Sequence, residues 1–376
     1  MARKRKITQE NYYDRKSAIS YMGYSQFKDF CGGGGMTRGL LDAGIKVLAG
    51  IDSNPDCRET YENNNNNTYL LCDICELTPE KLVKKFPQLK KSDQVILVGC
   101  APCQPFSVLR REEFDENGNP IPHKSVNLLK EFGRFVKAIK PAHVMVENVP
   151  GIKGKGSDVL DAFKNMLEDE GYNWDEKALY AKDYGVPQNR RRYVLIASRL
   201  FKPEIPSPTH GNKPGLIPYA TVRQTIEKYP PIKAGEVHET IANHRCANLS
   251  KLLLKRIKAT PHDGGSRTDW PKKLVLKCHK SFNGHTDVYG RMKWDVPSPT
   301  LTVKCFSLSN GRFGHPEQDR AISLREAAAL QTFPDNYVFY GSVQEIGKQI
   351  GNAVPVLLAK VMGEYILREH KLYTNK

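Results

Sequence analysis

Four groups of residues in this 376-residue chain could do chemistry. A thiol, Cys103, sits between two prolines in Gly99-Cys-Ala-Pro-Cys-Gln-Pro-Phe-Ser107, directly after the apolar run Val95-Ile-Leu-Val98. Such a run reads as a buried strand, and parallel sheets bind ligands at the carboxyl ends of their strands. Pro102 and Pro105 stiffen the loop, and a thiol aimed near positive charge becomes a nucleophile through a lowered pKa. A carboxylate, Glu147, closes a second apolar run, and a cationic cluster, Gln188-Asn-Arg-Arg-Arg192, opens a third. The fourth group is Phe30-Cys-Gly-Gly-Gly-Gly35, with Asp52 twenty residues beyond Gly32. Glycines at a strand-to-helix turn let a ligand approach the backbone at a helix N-terminus, and a carboxylate at that distance takes ribose hydroxyls. The lysine and hydroxyl of a phosphate loop are missing, and so is the full dinucleotide pattern, because position 37 is Thr. The loop therefore suits a nucleoside-bearing cofactor without a demanding phosphate site.

Strands must carry these residues to one edge. The candidates are Gln26–Phe30, Lys46–Ile51, Asp93–Gly99, His143–Glu147 and Arg192–Ala197, with helical stretches at Thr37–Ala43, Val126–Ile139 and Ser157–Glu170. This alternation predicts an α/β fold, a parallel sheet covered by helices on both faces. Asn63–Asn67, five asparagines in a row, reads as a loop. After Leu200 prolines cluster and the alternation disappears, which predicts a second, irregular, basic domain. The amphipathic stretch Gln344–His370 is expected to pack back onto the first. The division that results is a catalytic and cofactor-binding domain over 24–201 plus 341–372, a second domain over 202–340, and a basic N-terminal extension over 1–23.

Lys and Arg number 57 against 41 Asp and Glu, a formal charge of +16 that favours a polyanionic partner. No long uncharged apolar run is present for a membrane span, and the opening Met-Ala-Arg-Lys-Arg-Lys is no secretory signal, so a cytosolic protein is expected. Nine cysteines, an odd number, argue against a disulfide framework. Cys72–Cys75 and Cys100–Cys103 have the spacing of zinc ligands, but 24 residues separate the pairs and the second follows a strand, so no metal is expected.

With Pro102-Cys103-Gln104, Glu147-Asn148-Val149 and Gln188–Arg192 following the glycine loop in that order, the chain closely resembles the DNA (cytosine-5)-methyltransferase family. Pro299-Thr-Leu-Thr302, Arg312-Phe-Gly-His-Pro316, Ser323-Leu-Arg-Glu326, Gln331-Thr-Phe-Pro334 and Gly351-Asn-Ala-Val354 extend the resemblance, which runs from residue 27 to 359. It implies a Rossmann-like, S-adenosylmethionine-dependent methyltransferase domain with a smaller, irregular target-recognition domain, of the bacterial restriction-modification type. It further implies that Cys103 adds to C6 of a flipped-out cytosine, that Glu147 contacts N3, and that Arg192 and Arg190 hold O2. Cofactor contacts are implied for Phe30, Gly32, Gly34, Gly35, Asp52, Ser53, Asp73, Ile74, Pro102, Leu129, Asn352 and Ala353. The chain departs from the family at Lys28, where an acidic residue is usual, and at His123-Lys-Ser, where an acidic residue and an arginine are.

The expected partner is duplex DNA, with Gln104, Ser107, Arg245, Arg267 and Arg312 as the candidate contacts. A cognate restriction endonuclease or phage-defence system is a candidate companion, and a monomer acting on the nucleoid is expected. Two rivals were weighed: a transfer-RNA cytosine methyltransferase, to which Cys305-Phe306-Ser307 has a faint similarity, and a DNA-binding regulator without catalysis. The presence of Cys103 and Glu147 argues against the second, and the basic insert from about 205 to 295 against the first.

Overall fold

A computed structural model describes the backbone of residues 20–24, and residues 31–100, 128–279 and 287–375. The core is a seven-stranded sheet in the order β3-β2-β1-β4-β5-β7-β6. Its strands are β1 (Ser20–Tyr24), β2 (Lys46–Asp52), β3 (Thr68–Leu71), β4 (Val95–Cys100), β5 (His143–Asn148), β6 (Asn173–Tyr180) and β7 (Arg191–Ser198). The first five in spatial order run parallel; β7 is antiparallel to β5, and β6 to β7. The all-parallel expectation thus holds for one side of the sheet and fails for the other. β4 and β5 are buried at every position, as central strands covered on both faces must be.

Two expectations are corrected. β1 lies at Ser20–Tyr24, inside the stretch read as an N-terminal extension; the short run Tyr21-Met-Gly-Tyr24 was overlooked among its charged and polar neighbours. The expected first strand, Gln26–Phe30, lies outside the described residues. The asparagine run is half helical, because α2 (Arg58–Asn65) carries its first three members. Tertiary bonds outweigh the poor helix preference of asparagine there. Asn65 Nδ2 donates to Tyr61 O and Tyr337 Oη, and Asn64 Nδ2 to Val338 O. The helix then ends at Asn66 in the left-handed region (φ 49°), a conformation asparagine tolerates.

Helices cover the sheet. On one face α3 (Pro79–Lys85), α4 (Leu128–Ile139) and α5 (Ser157–Asp169) bury Leu82, Phe132, Phe135 and Phe163 against Leu97, Val144 and Val146. On the other, α1 (Gly35–Asp42) and the last helix pack on Val47, Ile96 and Ile196. After β7 the chain carries only the short helices α6 (Val222–Ile226) and α7 (Lys251–Lys258) and 3-10 turns before α8 (Leu324–Leu330), α9 (Val343–Asn352) and α10 (Val356–Thr374). α10 docks on α1 across small residues: a Cβ on Gly39 would meet Val356 O at 2.4 Å, and one on Gly363 would meet Leu40 at 2.9 Å. By composition the stretch Val343–Thr374 is apolar enough for a bilayer span, yet 67% of its most apolar window is buried within the fold.

The boundary drawn at 340/341 has no counterpart in the packing. Ile346 and Ile350 of α9 share a core with Leu301, Phe313, Phe333, Tyr337 and Phe339 of the second region, while Leu358 and Met362 of α10 belong with the sheet. Polar anchors hold that second region. Glu326 is buried against Arg320, with two oxygen–nitrogen distances of 2.7 Å, and caps α8 reciprocally with Ser323. Arg291, also buried, donates to Thr260 O, Ile257 O and His315 O. In an irregular domain these side chains satisfy carbonyls that a sheet ladder satisfies elsewhere.

Candidate active site and nucleic-acid interface

Strand register brings the chemistry to one edge. Cys100, the last residue of β4, is paired with Glu147 near the end of β5. Glu147 is paired in turn with Val194, and Asn148 with Tyr193, at the start of β7. Because β7 runs antiparallel, its first residues lie at the carboxyl edge of β4 and β5. Arg192 therefore reaches Glu147, with Nε 2.8 Å from Oε1 and each side chain 10% exposed. Burial pushes the Glu147 carboxyl above its ordinary range, against the opposing pull of Arg192 and then Arg190. The result is a carboxyl poised to hold a proton beside a fixed cation. Cys103, Pro102, Gln104 and Ser107 lie outside the described residues; Cys103 stands three positions beyond the strand end that faces Glu147.

Arg190 is oriented from the second region. Its guanidinium, 1% exposed, donates to Leu301 O at 2.9 Å and Gly351 O at 3.0 Å. Gln188 holds the same loop: its Nε2 donates to Gln331 Oε1 at 3.0 Å, and its Oε1 accepts from Leu301 N at 2.9 Å. Gln331 then donates to Ile350 O and Ala353 O. Thr300 Oγ1 donates to Asn189 O, so Pro299-Thr-Leu-Thr302 is laid directly against the arginine loop. Arg190 is thus the tie between domains, and Arg192 is the arginine beside Glu147.

The cofactor side forms around α1. A narrow crevice is lined by Gly32, Gly35, Gln349, Asn352 and Ala353, which brings four of the expected cofactor residues together. Asp52, fully buried, accepts from Gly32 N at 3.0 Å and Asn54 N at 2.9 Å, which fixes the glycine loop on β2. The Cys31 thiol also points at Asp52 Oδ2, at 3.9 Å. Ser53 is half-buried beside it. Burial and the neighbouring Asp52 push the Cys31 thiol well up, so this cysteine stays a neutral wall of the site. Asp73 Oδ1 caps Cys75 N at 2.7 Å, and Arg134 of α4 donates to Ile74 O at 2.9 Å, so the Asp73–Ile74 turn is fastened to the helix that carries buried Leu129. Phe30 lies outside the described residues. Gly34 adopts φ 87°, and a Cβ there would meet Tyr337 Oη at 2.4 Å and Asn65 Nδ2 at 2.5 Å. Glycine is required at 34 by packing and conformation together.

The three arginines expected to meet DNA differ in their surroundings. Arg267 is 6% exposed. Arg245 donates to Gly341 O at 3.0 Å. Arg312 donates to Gly264 O at 2.8 Å and Gly265 O at 3.1 Å, and lies 3.2 Å from Asp287. Each braces a loop. Lys293 lies exposed in an open cleft of about 390 Å³ with Asn189, Val296 and Pro299. Among the described residues no group of His, Cys, Asp or Glu could hold a metal, and Cys72 is half-buried while Cys75 is exposed.

The sheet, its helical cover and the glycine crevice define a methyltransferase fold. Solved structures share it: a DNA modification methyltransferase encoded within a prophage of E. coli (TM-score 0.67, 22% identity, covering 96% of this chain and 100% of that one) and the S. pombe Dnmt2 methyltransferase (TM-score 0.60, 18% identity, 94% and 98%). The family model for C-5 cytosine-specific DNA methylases matches residues 27–368. Similar curated proteins are the type II methylase M.HgiDII of Herpetosiphon aurantiacus, 40% identical over 90% of this chain and 94% of that protein, and the type II methyltransferase M1.HphI of Haemophilus parahaemolyticus, 32% identical over 97% and 91%. The chain belongs to the C-5 cytosine-specific DNA methylase family, and is a DNA (cytosine-5)-methyltransferase of the bacterial restriction-modification type that uses S-adenosylmethionine. The crevice suits that cofactor: the buried carboxylate of Asp52 holds its glycine wall, and the side chain of Gln349 presents a buried carbonyl oxygen with no partner among the described residues.

Proposed function

We propose that the enzyme extrudes one cytosine from duplex DNA and methylates it through covalent attack by Cys103. The observation that carries this reading is the buried Glu147–Arg192 pair at the strand edge, in register with Cys100 three residues before the thiol. C5 of cytosine is too weak a nucleophile to take a methyl group unaided. The Cys103 thiolate adds to C6, a bond that forms as the C5–C6 double bond breaks and charge moves toward N3. Glu147 holds the proton at N3, and Arg192 holds O2, so the developing charge is neutralised. S-adenosylmethionine supplies the methyl group to C5. Loss of the C5 proton to a base then restores the double bond and expels the thiolate. Asp52 holds the ribose, and Asp73, Ile74 and Leu129 frame the adenine, with Phe30 and Pro102 on its faces. Asn352 and Ala353 close the other end beside Gly32 and Gly35, and Ser53 lies next to Asp52 at the ribose.

Extrusion costs a few kcal/mol, which phosphate contacts offset. Residues 202–340 act as the target-recognition domain, and the cleft holding Asn189 and Lys293 faces the DNA backbone beside the arginine loop. Gln104 and Ser107 are assigned to DNA contact. A monomer acting in the cytoplasm on nucleoid DNA, with a cognate endonuclease or defence system as companion, completes the reading. Bisulfite sequencing of DNA from cells expressing the chain, beside a tritium-transfer assay on duplex DNA and on transfer RNA, tests it. Methylcytosine in one short DNA sequence context is expected; label confined to transfer RNA would contradict the substrate assignment.

A further inference from the structure

We infer that Gln349 is a cofactor-positioning residue whose Oε1 accepts a hydrogen bond from the ammonium group of the S-adenosylmethionine amino-acid head; this rests on the functional reading above. Gln349 is 2% exposed and lines the crevice between the glycine loop and the α9–α10 junction. Its amide orientation is fixed, because Nε2 donates to two carbonyls, Asp56 O at 3.1 Å and Tyr340 O at 3.0 Å. Turning the amide over would set oxygen against oxygen at both. Oε1 is therefore held on the opposite side, where it has no partner among the described residues. A buried acceptor left unmade is costly, so a native site that keeps one is a place where a ligand donor belongs.

The surroundings say which donor. Gly33 passes over the amide so closely that a Cβ on it would lie 3.2 Å from Gln349 Cβ and 3.4 Å from Oε1. The next residues start α1, whose N-terminal amides carry no side-chain cap. An uncapped helix N-terminus favours an anion, here the carboxylate of the amino-acid head. The ammonium is bonded to the same carbon as that carboxylate and needs acceptors alone. Asp52, the other buried acceptor close by, already takes the amides of Gly32 and Asn54 and lies toward the ribose. Gln349 thus completes the zwitterion site at the end opposite the ribose.

The test uses the full chain and three ligands in titration calorimetry: S-adenosylhomocysteine, decarboxylated S-adenosylmethionine, which keeps the ammonium, and 5′-methylthioadenosine, which lacks the amino-acid head. Gln349→Met is expected to weaken the first two about tenfold or more, the range for a hydrogen bond to a charged group. Binding of 5′-methylthioadenosine should stay within about twofold, which also certifies that the crevice is folded. Gln349→Asn, which retracts the acceptor by one methylene, should show the same selectivity for ammonium-bearing ligands. Equal weakening of all three ligands by both variants, undiminished binding of S-adenosylhomocysteine, or a loss that spares the decarboxylated ligand would each overturn the inference. Failure of the unsubstituted protein to bind S-adenosylhomocysteine would instead remove the functional reading on which it rests.

Discussion

Replacing Glu147 with Gln separates the chemistry of the site from its architecture. The carboxyl is buried, its Oε1 lies 2.8 Å from Arg192 Nε, and burial raises its pKa. Gln keeps the shape and one acceptor for Arg192. A bond between two charged groups becomes one from the Arg192 cation to a neutral amide oxygen, at the weaker end of about 1.5–3 kcal/mol. Relief from burying a carboxylate offsets part of that difference, so stability should change by only about 1 kcal/mol, a shift of a few °C in Tm. Catalysis should change far more. A positioned proton contributes about 10²–10⁴ in rate, equivalent to about 3–5 kcal/mol in the barrier. The assay is single-turnover tritium transfer from labelled cofactor to saturating DNA, with Kd for DNA and the melting curve recorded on the same preparation. A rate within tenfold of the parent, in a folded protein that binds DNA, would refute the proton-holding role of Glu147. A collapse of Tm with proportionate loss of binding would show that the pair is architectural.

Gly34→Ala meets a positive φ and two buried hydroxyl and amide atoms at once. About 1–2 kcal/mol of backbone strain plus roughly 1 kcal/mol for each displaced hydrogen bond should lower Tm by about 4–5 °C, and calorimetry should show weaker cofactor binding. His143 is pushed down to about 3, by burial and then by His370 and Arg199, so the folded protein keeps it neutral. Its contribution to stability is complete above the ordinary value of 6.5 and is lost as pH falls toward 3; urea unfolding at pH 6.5 and 5.5 should differ by about 1 kcal/mol, and His143→Gln should flatten that difference. Lys293→Ala should reduce the log–log salt slope of DNA binding by about 0.9 and leave cofactor affinity unchanged; an unaltered slope would take the cleft out of the DNA path.

The sequence was most legible where one physical signal dominates. The apolar runs at 95–98 and 143–146 read as buried strands, and they bring Cys100, three residues before Cys103, into register with Glu147. β6 escaped notice because an edge strand with Asn173, Asp175, Glu176 and Lys177 shows weak apolar alternation. The capping box Ser323–Glu326 was visible as a spacing, but its burial against Arg320 was not, since nothing local marks an arginine as interior. Nor does the sequence show that Arg245 and Arg312 bond to loop carbonyls or that Arg267 is buried. In an irregular domain, loop carbonyls recruit arginines inward, and lysines are left facing solvent. Gln188 and Gln331 each stand inside a recognised motif, yet only the fold shows that they bond to each other.

The most direct test of the account is covalent capture. Duplex DNA carrying 5-fluorocytosine at the target should trap the enzyme, because addition at C6 and methylation at C5 proceed but fluorine cannot leave as a cation. Denaturing electrophoresis should show a shifted protein–DNA band that requires S-adenosylmethionine, survives Cys100→Ser and disappears with Cys103→Ser. A band that persists in Cys103→Ser, or one lost equally in folded Cys100→Ser, would contradict the assignment of Cys103 as the nucleophile.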